Sequence, residues 1–160
     1  MVWCAIGGST QQSELIVMER DPDAKHNGYT ARSYLDTLEE GLLPMYNGDL
    51  FMQDNASIHT AGVTRDWINK HGILLLNRWP PYLPDLNPIE HLWPRLKEAI
   101  YTLRPDIALI TSVEMQKQAL CEVLPGAWLS IREEVVEGCL HSMRDRLQAV
   151  INAEGWHTKY

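Results

Sequence analysis

A chain of 160 residues suits one domain with room for a real hydrophobic core. Its 45% hydrophobic and 22% charged residues exclude a disordered chain, and no apolar run approaches the about 18 residues of a membrane helix. A formal net charge of −7 makes it a poor non-specific binder of nucleic acid, because phosphates repel it.

The opening Met1–Ile6 is apolar, but it is short and has no basic stretch before it, so it does not read as a secretory signal. Val2–Ile6 and Glu14–Glu19 read as strands joined by a turn at Gly7–Thr10, which predicts a hairpin. Asp21–Gly28 is a polar loop. From Thr30 to about Leu43 the residues Tyr34, Leu35, Leu38 and Leu42 share a helical stripe, and Pro44 follows its end. Asp49–Gln53 is a short apolar run of the buried-strand type. Thr60–His71 reads as a helix with Gly72 at its C-terminal cap, and Ile73–Leu76 as another buried strand. Strand, helix and strand with short connections make a βαβ unit.

Trp79–Pro88 holds four prolines and reads as extended and stiff. A helix follows from about Asn87. Thr111–Leu124 starts with a Thr111 and Glu114 capping box, and Trp128–Ala153 reads as helical with a break near His141. The cysteines Cys4, Cys121 and Cys139 stand far apart, which suits reduced, packed thiols in a reducing compartment.

Two carboxylates stand out. Asp54 directly follows the apolar run that ends at Gln53, and ligands gather outside the C-terminal ends of strands in parallel α/β sheets. The same position equally suits an Asx turn. Glu90 lies three residues after Asn87, a good N-cap, with Pro88 at the first helical position. A capping box would explain Glu90 fully without chemistry.

Together the two segments carry more. Gln53-Asp54-Asn55-Ala56, with His59 following, and the long run Trp79–Trp93 resemble two signature motifs of mariner-superfamily (Tc-type) transposases. Met1–Ile6 is similar to the family's M-V-W strand, and Ser142–Ile151, Gly155 and Thr158–Tyr160 to its C-terminus, so the likeness spans the chain. The resemblance implies an α/β, ribonuclease-H-like mixed sheet with flanking helices. It implies that residues 1–160 are the C-terminal part of a DDE catalytic domain. The family's helix-turn-helix region and its first, central strand, which bears the first catalytic Asp, have no counterpart in these residues. Two strand edges would then lie open, and marginal stability is expected.

By the same resemblance Asp54 matches the family's second acid and Glu90 the third, as catalytic residues and metal ligands. Asn55, His59, Asp85 and His91 match positions around them, with packing, capping or turn roles as the plainer alternatives. Thirty-five residues lie between Asp54 and Glu90, slightly more than the Tc-type habit. The implied cofactor is Mg²⁺, with Mn²⁺ as a substitute, in a two-metal site expected only in the complete domain. Two ions roughly 3.5–4 Å apart serve both ends of an in-line displacement at phosphorus. The implied partner is DNA at transposon ends, bound weakly by this acidic chain alone, with a homodimer as a further possibility. The location would be nuclear or cytoplasmic, with no membrane association.

Two departures stand in the second motif: Leu83 where Ser is common, and Pro94, expected to cost about 3 kcal/mol inside a regular helix and to kink it near Glu90. Trp79, Trp93 and Trp128 are expected in the core, with Trp79 bordering the site. A DNA transposase and endonuclease domain, inactive as the isolated chain, is the leading expectation. The alternative is a non-catalytic transposon remnant or a domesticated interaction module. A different nuclease on the same fold would not explain the long Trp79–Trp93 match.

Overall fold

The N-terminal apolar segment folds back on itself in two short antiparallel pairings. Strand β1 (Val2–Trp3) pairs with β4 (Ile16–Val17), and β2 (Ile6–Gly7) with β3 (Gln11–Gln12). The computed structural model describes residues 1–8, 11–77, 79–80, 86–156 and 158. The chain divides into two units. One holds residues 1–5 and 16–82, the other residues 6–15 and 83–160.

In the first unit, Thr30 caps helix α1 (Ala31–Thr37), its hydroxyl oxygen accepting from the Ser33 N–H. The predicted helix continues to Leu42, but its last turn, Leu38–Leu42, widens to a π turn in which the Leu43 N–H reaches the Leu38 carbonyl at 3.0 Å. Gly41 sits in that turn. A Cβ there would overlap the Trp3 ring and lie 3.2 Å from the Ile16 side chain, so glycine is what lets the β1–β4 pair lie against the helix. Tyr34, Leu38 and Leu42 are buried with Met18, Ile68 and Ile73, and Trp3, Phe51, Trp67 and Leu75 pack against them. Each aliphatic side chain buried there contributes about 1.5–3 kcal/mol.

The expected strands Asp49–Gln53 and Ile73–Leu76 shrink to a single parallel bridge, Phe51 opposite Leu75. It is held by Phe51 N–H to Leu74 O (2.7 Å) and Leu76 N–H to Phe51 O (2.8 Å). The helix between them starts earlier than predicted. It opens with α2 (Ser57–Thr60), breaks at Ala61, whose ψ is 147°, and resumes as α3 (Gly62–Lys70). Thr64, which is buried, spans the break by donating to the Ile58 carbonyl at 2.7 Å. Gly72 ends α3 at φ +66°, as its place in the sequence predicts. The Ile73 N–H returns to the Ile68 carbonyl at 3.0 Å, a Schellman closure.

In the second unit, a 3₁₀ turn (Pro88–His91) leads into α4 (Leu92–Leu103), whose Leu92, Leu96 and Ile100 form one buried stripe. Pro94 is the third residue of α4, not an interior residue of a helix begun at Asn87. First-turn N–H groups have no intrahelical acceptor, so the expected penalty and kink do not arise there. Helix α5 (Val113–Leu129) is capped by Ser112 rather than Thr111: its hydroxyl accepts from the Met115 N–H at 3.4 Å. Helices α6 (Glu133–His141) and α7 (Met143–Asn152) meet at Ser142, beside the predicted break. Trp128, 1% exposed, anchors this unit, donating its indole N–H to the Ser13 carbonyl at 2.8 Å. Among the described residues no helix is long and apolar enough to cross a membrane.

Candidate active site

Past the Phe51 bridge the chain turns at once, and Asp54 makes the turn. Its Oδ1 accepts the Ala56 N–H at 2.9 Å, so the Asx turn is real. The same oxygen lies 2.6 Å from His59 Nδ1, which is also 3.3 Å from the Asp54 carbonyl. His59 must carry its proton on Nδ1 to donate to a carboxylate. Asp54 Oδ2 takes no hydrogen bond among the described residues. The carboxylate is therefore held by one oxygen and presents the other to solvent, with the Asp54 side chain 59% exposed and the His59 side chain 17%.

His59 is in turn held from the core. Its ring lies 4.3 Å from the Tyr34 ring, centroid to centroid, at 40°. The Tyr34 hydroxyl donates to Gln53 Oε1 at 2.6 Å, and Gln53 Nε2 donates to the His59 carbonyl at 3.3 Å. Burial pushes the Tyr34 hydroxyl well above the usual phenol range and the Asp54 charge adds to this, against an opposing hydrogen bond from Trp3. Tyr34 thus stays a neutral donor. Asn55 turns the other way, its Nδ2 donating to the Trp79 carbonyl at 2.8 Å. Around these groups lies a cleft of about 240 Å³, lined among others by Asp54, Asn55, His59, Arg65, Asn77 and Trp79.

Glu90 belongs to the second unit, whereas Asp54 belongs to the first. Asn87 caps the 3₁₀ turn as predicted, its side chain accepting from the Ile89 N–H at 3.3 Å, with Pro88 next. The reciprocal half of a capping box is missing. The Glu90 N–H bonds the Asn87 carbonyl at 3.2 Å, and the Glu90 carboxylate is exposed, with no hydrogen bond or ion pair among the described residues. The structural role that would have explained Glu90 is thus not performed. His91 is half-buried at the end of the turn. Asp85 and Leu83 lie outside the described residues. Of the other tryptophans, Trp128 is core, while Trp79 and Trp93 are half-buried. Among the described residues, no three acids, histidines or cysteines stand together as a metal-holding group.

Sequence reasoning passed over Tyr34 except as a helix-stripe residue, and it passed over Arg65 and Asn77. Gln53 was visible only as a motif letter. No local signal pairs Tyr34 with His59, since their contact is tertiary.

A family model described as DDE superfamily endonuclease matches residues 2–107. The chain is 39% identical over 132 residues to the transposable element Tcb1 transposase of Caenorhabditis briggsae, covering 79% of this chain and 45% of that protein. It is 39% identical over 113 residues to the transposable element Tc1 transposase of Caenorhabditis elegans, covering 71% of this chain and 38% of that one. The chain spans less than half the length of these two relatives. The catalytic domain of Mos1 transposase, solved with raltegravir and Mn, superposes with a TM-score of 0.63 at 20% identity, over 99% of this chain and 83% of that one. That likeness establishes the ribonuclease-H-like fold. With the match over residues 2–107, it follows that this chain belongs to the DDE superfamily endonucleases and is homologous to the Tc1/mariner transposases.

Proposed function

We propose that residues 1–160 are the C-terminal part of a transposase catalytic domain that cleaves and rejoins DNA at transposon ends. In this proposal Asp54 and Glu90 are two of its metal ligands. The observation that carries it is the Asp54 carboxylate, tied through Oδ1 and open at Oδ2, in a chain of this family. Glu90 adds a second carboxylate with no structural partner among the described residues. Both are hard oxygen donors of the kind Mg²⁺ prefers, with Mn²⁺ as a substitute. When bound, such ions activate the attacking oxygen and stabilise the leaving one. The chain's own part is to orient Asp54 through His59 and to leave Glu90 unengaged. Work on chromosomal DNA calls for a nuclear location, and a homodimer would serve two transposon ends. Most of the affinity for DNA would come from outside this acidic segment.

The test is Mn²⁺ added to the isotope-labelled chain and followed by NMR. Paramagnetic broadening should be strongest at Asn55–Ala56 and Ile89–His91, and weaker at the acidic pairs Glu39–Glu40 and Glu133–Glu134. Asp54→Asn should abolish the first and Glu90→Gln the second. Broadening that persists at both sites in the variants refutes the assignment. A non-catalytic interaction module remains the second reading, supported by the lack of a three-ligand group among the described residues. Broadening no stronger at the two candidate sites than at the acidic pairs would favour it.

A further inference from the structure

The cleft beside Asp54 holds chemistry that a metal does not need. Among the described residues its walls carry one arginine, Arg65, one large aromatic ring, Trp79, and the neutral side chains Asn55, Thr60 and Asn77. Three arginines of the first unit are described. Arg20 donates to the Asn27 carbonyl and stacks on Tyr29, and Arg32 pairs with Asp23. Arg65, on the exposed side of α3, forms no ion pair or side-chain hydrogen bond among the described residues. Asp54, the carboxylate in the cleft, pairs with His59 and forms no ion pair with Arg65. In a chain of net charge −7, a guanidinium in a cleft with no ion pair among the described residues is a place for an anion.

Trp79 supplies the other half. Its backbone carbonyl is held at 2.8 Å by Asn55, the neighbour of Asp54, so the Trp79 backbone is tied to the same turn that carries the carboxylate. At about 240 Å³ the cleft falls below the roughly 300–1,000 Å³ of small-molecule sites. A planar ring and a guanidinium in so small a space match one nucleotide of a strand, with its base on the indole and its phosphodiester on the arginine. Stacking needs an exposed base face, so the nucleotide must be unpaired.

We infer that this cleft is a subsite for one unpaired nucleotide of a DNA strand, with Arg65 holding its phosphodiester and Trp79 stacking on its base. It rests on the proposal that the chain works on DNA.

The test is fluorescence anisotropy of a labelled oligothymidylate with the 160-residue chain at low ionic strength, beside the same strand annealed to its complement. The single strand should bind more tightly than the duplex. Arg65→Ala should weaken it roughly fivefold or more and flatten the log–log salt dependence by about 0.7, while Arg65→Lys keeps the slope. Trp79→Leu should weaken it by a similar factor, and Trp79→Phe should retain most of the affinity. The inference is overturned if the wild-type chain does not bind the strand, or if Arg65→Ala and Trp79→Leu bind as wild type. It is also overturned if free thymidine monophosphate binds as tightly as the oligomer, which would mark a mononucleotide site. Mn²⁺ broadening at Asn55 in the same samples separates the two proposals. Intact broadening without strand binding removes the subsite and leaves the metal ligands standing.

Discussion

Replacing His59 with Ala isolates what its bond to Asp54 does. The bond is short, 2.6 Å, and joins a mostly buried ring to a carboxylate that is 59% exposed. A hydrogen bond to a charged group contributes about 1.5–3 kcal/mol, and solvent at the Asp54 end should reduce this to about 1 kcal/mol. Loss of the ring against Tyr34 adds a contact of about 0.5–1.5 kcal/mol. The expected destabilisation is about 2 kcal/mol, or a fall in Tm of about 4–8 °C for a chain of this size. The effect on metal should be larger in proportion. Loss of a group that orients a ligand lowers metal affinity about 10–100-fold. His59→Gln, whose amide can donate to Oδ1, should recover part of it. Mn²⁺ titration followed at Asn55 and Ala56, with a thermal melt of each variant, reads both effects. Unchanged Mn²⁺ affinity in a folded His59→Ala chain would show that Asp54 needs no orienting partner.

Three further outcomes check the frame around the site. Gly41→Ala gains about 1 kcal/mol of helix propensity but drives a methyl into Trp3, for which overpacking costs about 1–3 kcal/mol; a chain that melts higher than wild type would refute the close approach. Trp128→Phe loses a buried hydrogen bond to Ser13 and should lower stability by about 2 kcal/mol in urea unfolding, with the m-value unchanged. Cys4 is buried, and burial pushes its thiol above the ordinary range. Its folded pKa is thus raised over the unfolded one, so its contribution is complete below the ordinary thiol pKa. As pH rises past that value, the unfolded thiol ionises and stability erodes. Cys4→Ala should flatten this alkaline decline, and exposed Cys121 should alkylate well before Cys4 does.

What could be read from the sequence follows the range of each interaction. Thr30 as a helix start, Gly72 as a helix end and Asn87 as a cap followed by Pro88 are local chemistry, and each is legible within one or two helical turns. Thr111 and Ser112 are adjacent hydroxyls with the same capping ability, and only the position of the first turn of α5 selects Ser112. The π turn at Leu38–Leu42 was not legible, because Gly41 meets Trp3 from a distant segment. The two expected parallel strands were legible as apolar runs, but composition does not say how many residues pair. At the candidate site, Asp54 and Glu90 were visible as letters in motifs. The link of Tyr34 to His59 and Gln53, and the place of Arg65 in the cleft, needed three dimensions.

Tyr34 answers to two masters. It is 1% exposed in the core of its unit, yet its ring and hydroxyl steady the groups that aim Asp54. Packing defects at Leu38 or Ile68, its neighbours in that core, should therefore tilt the carboxylate before they unfold the chain. Alleles of this kind would be heat-sensitive for metal binding at temperatures where the fold still stands.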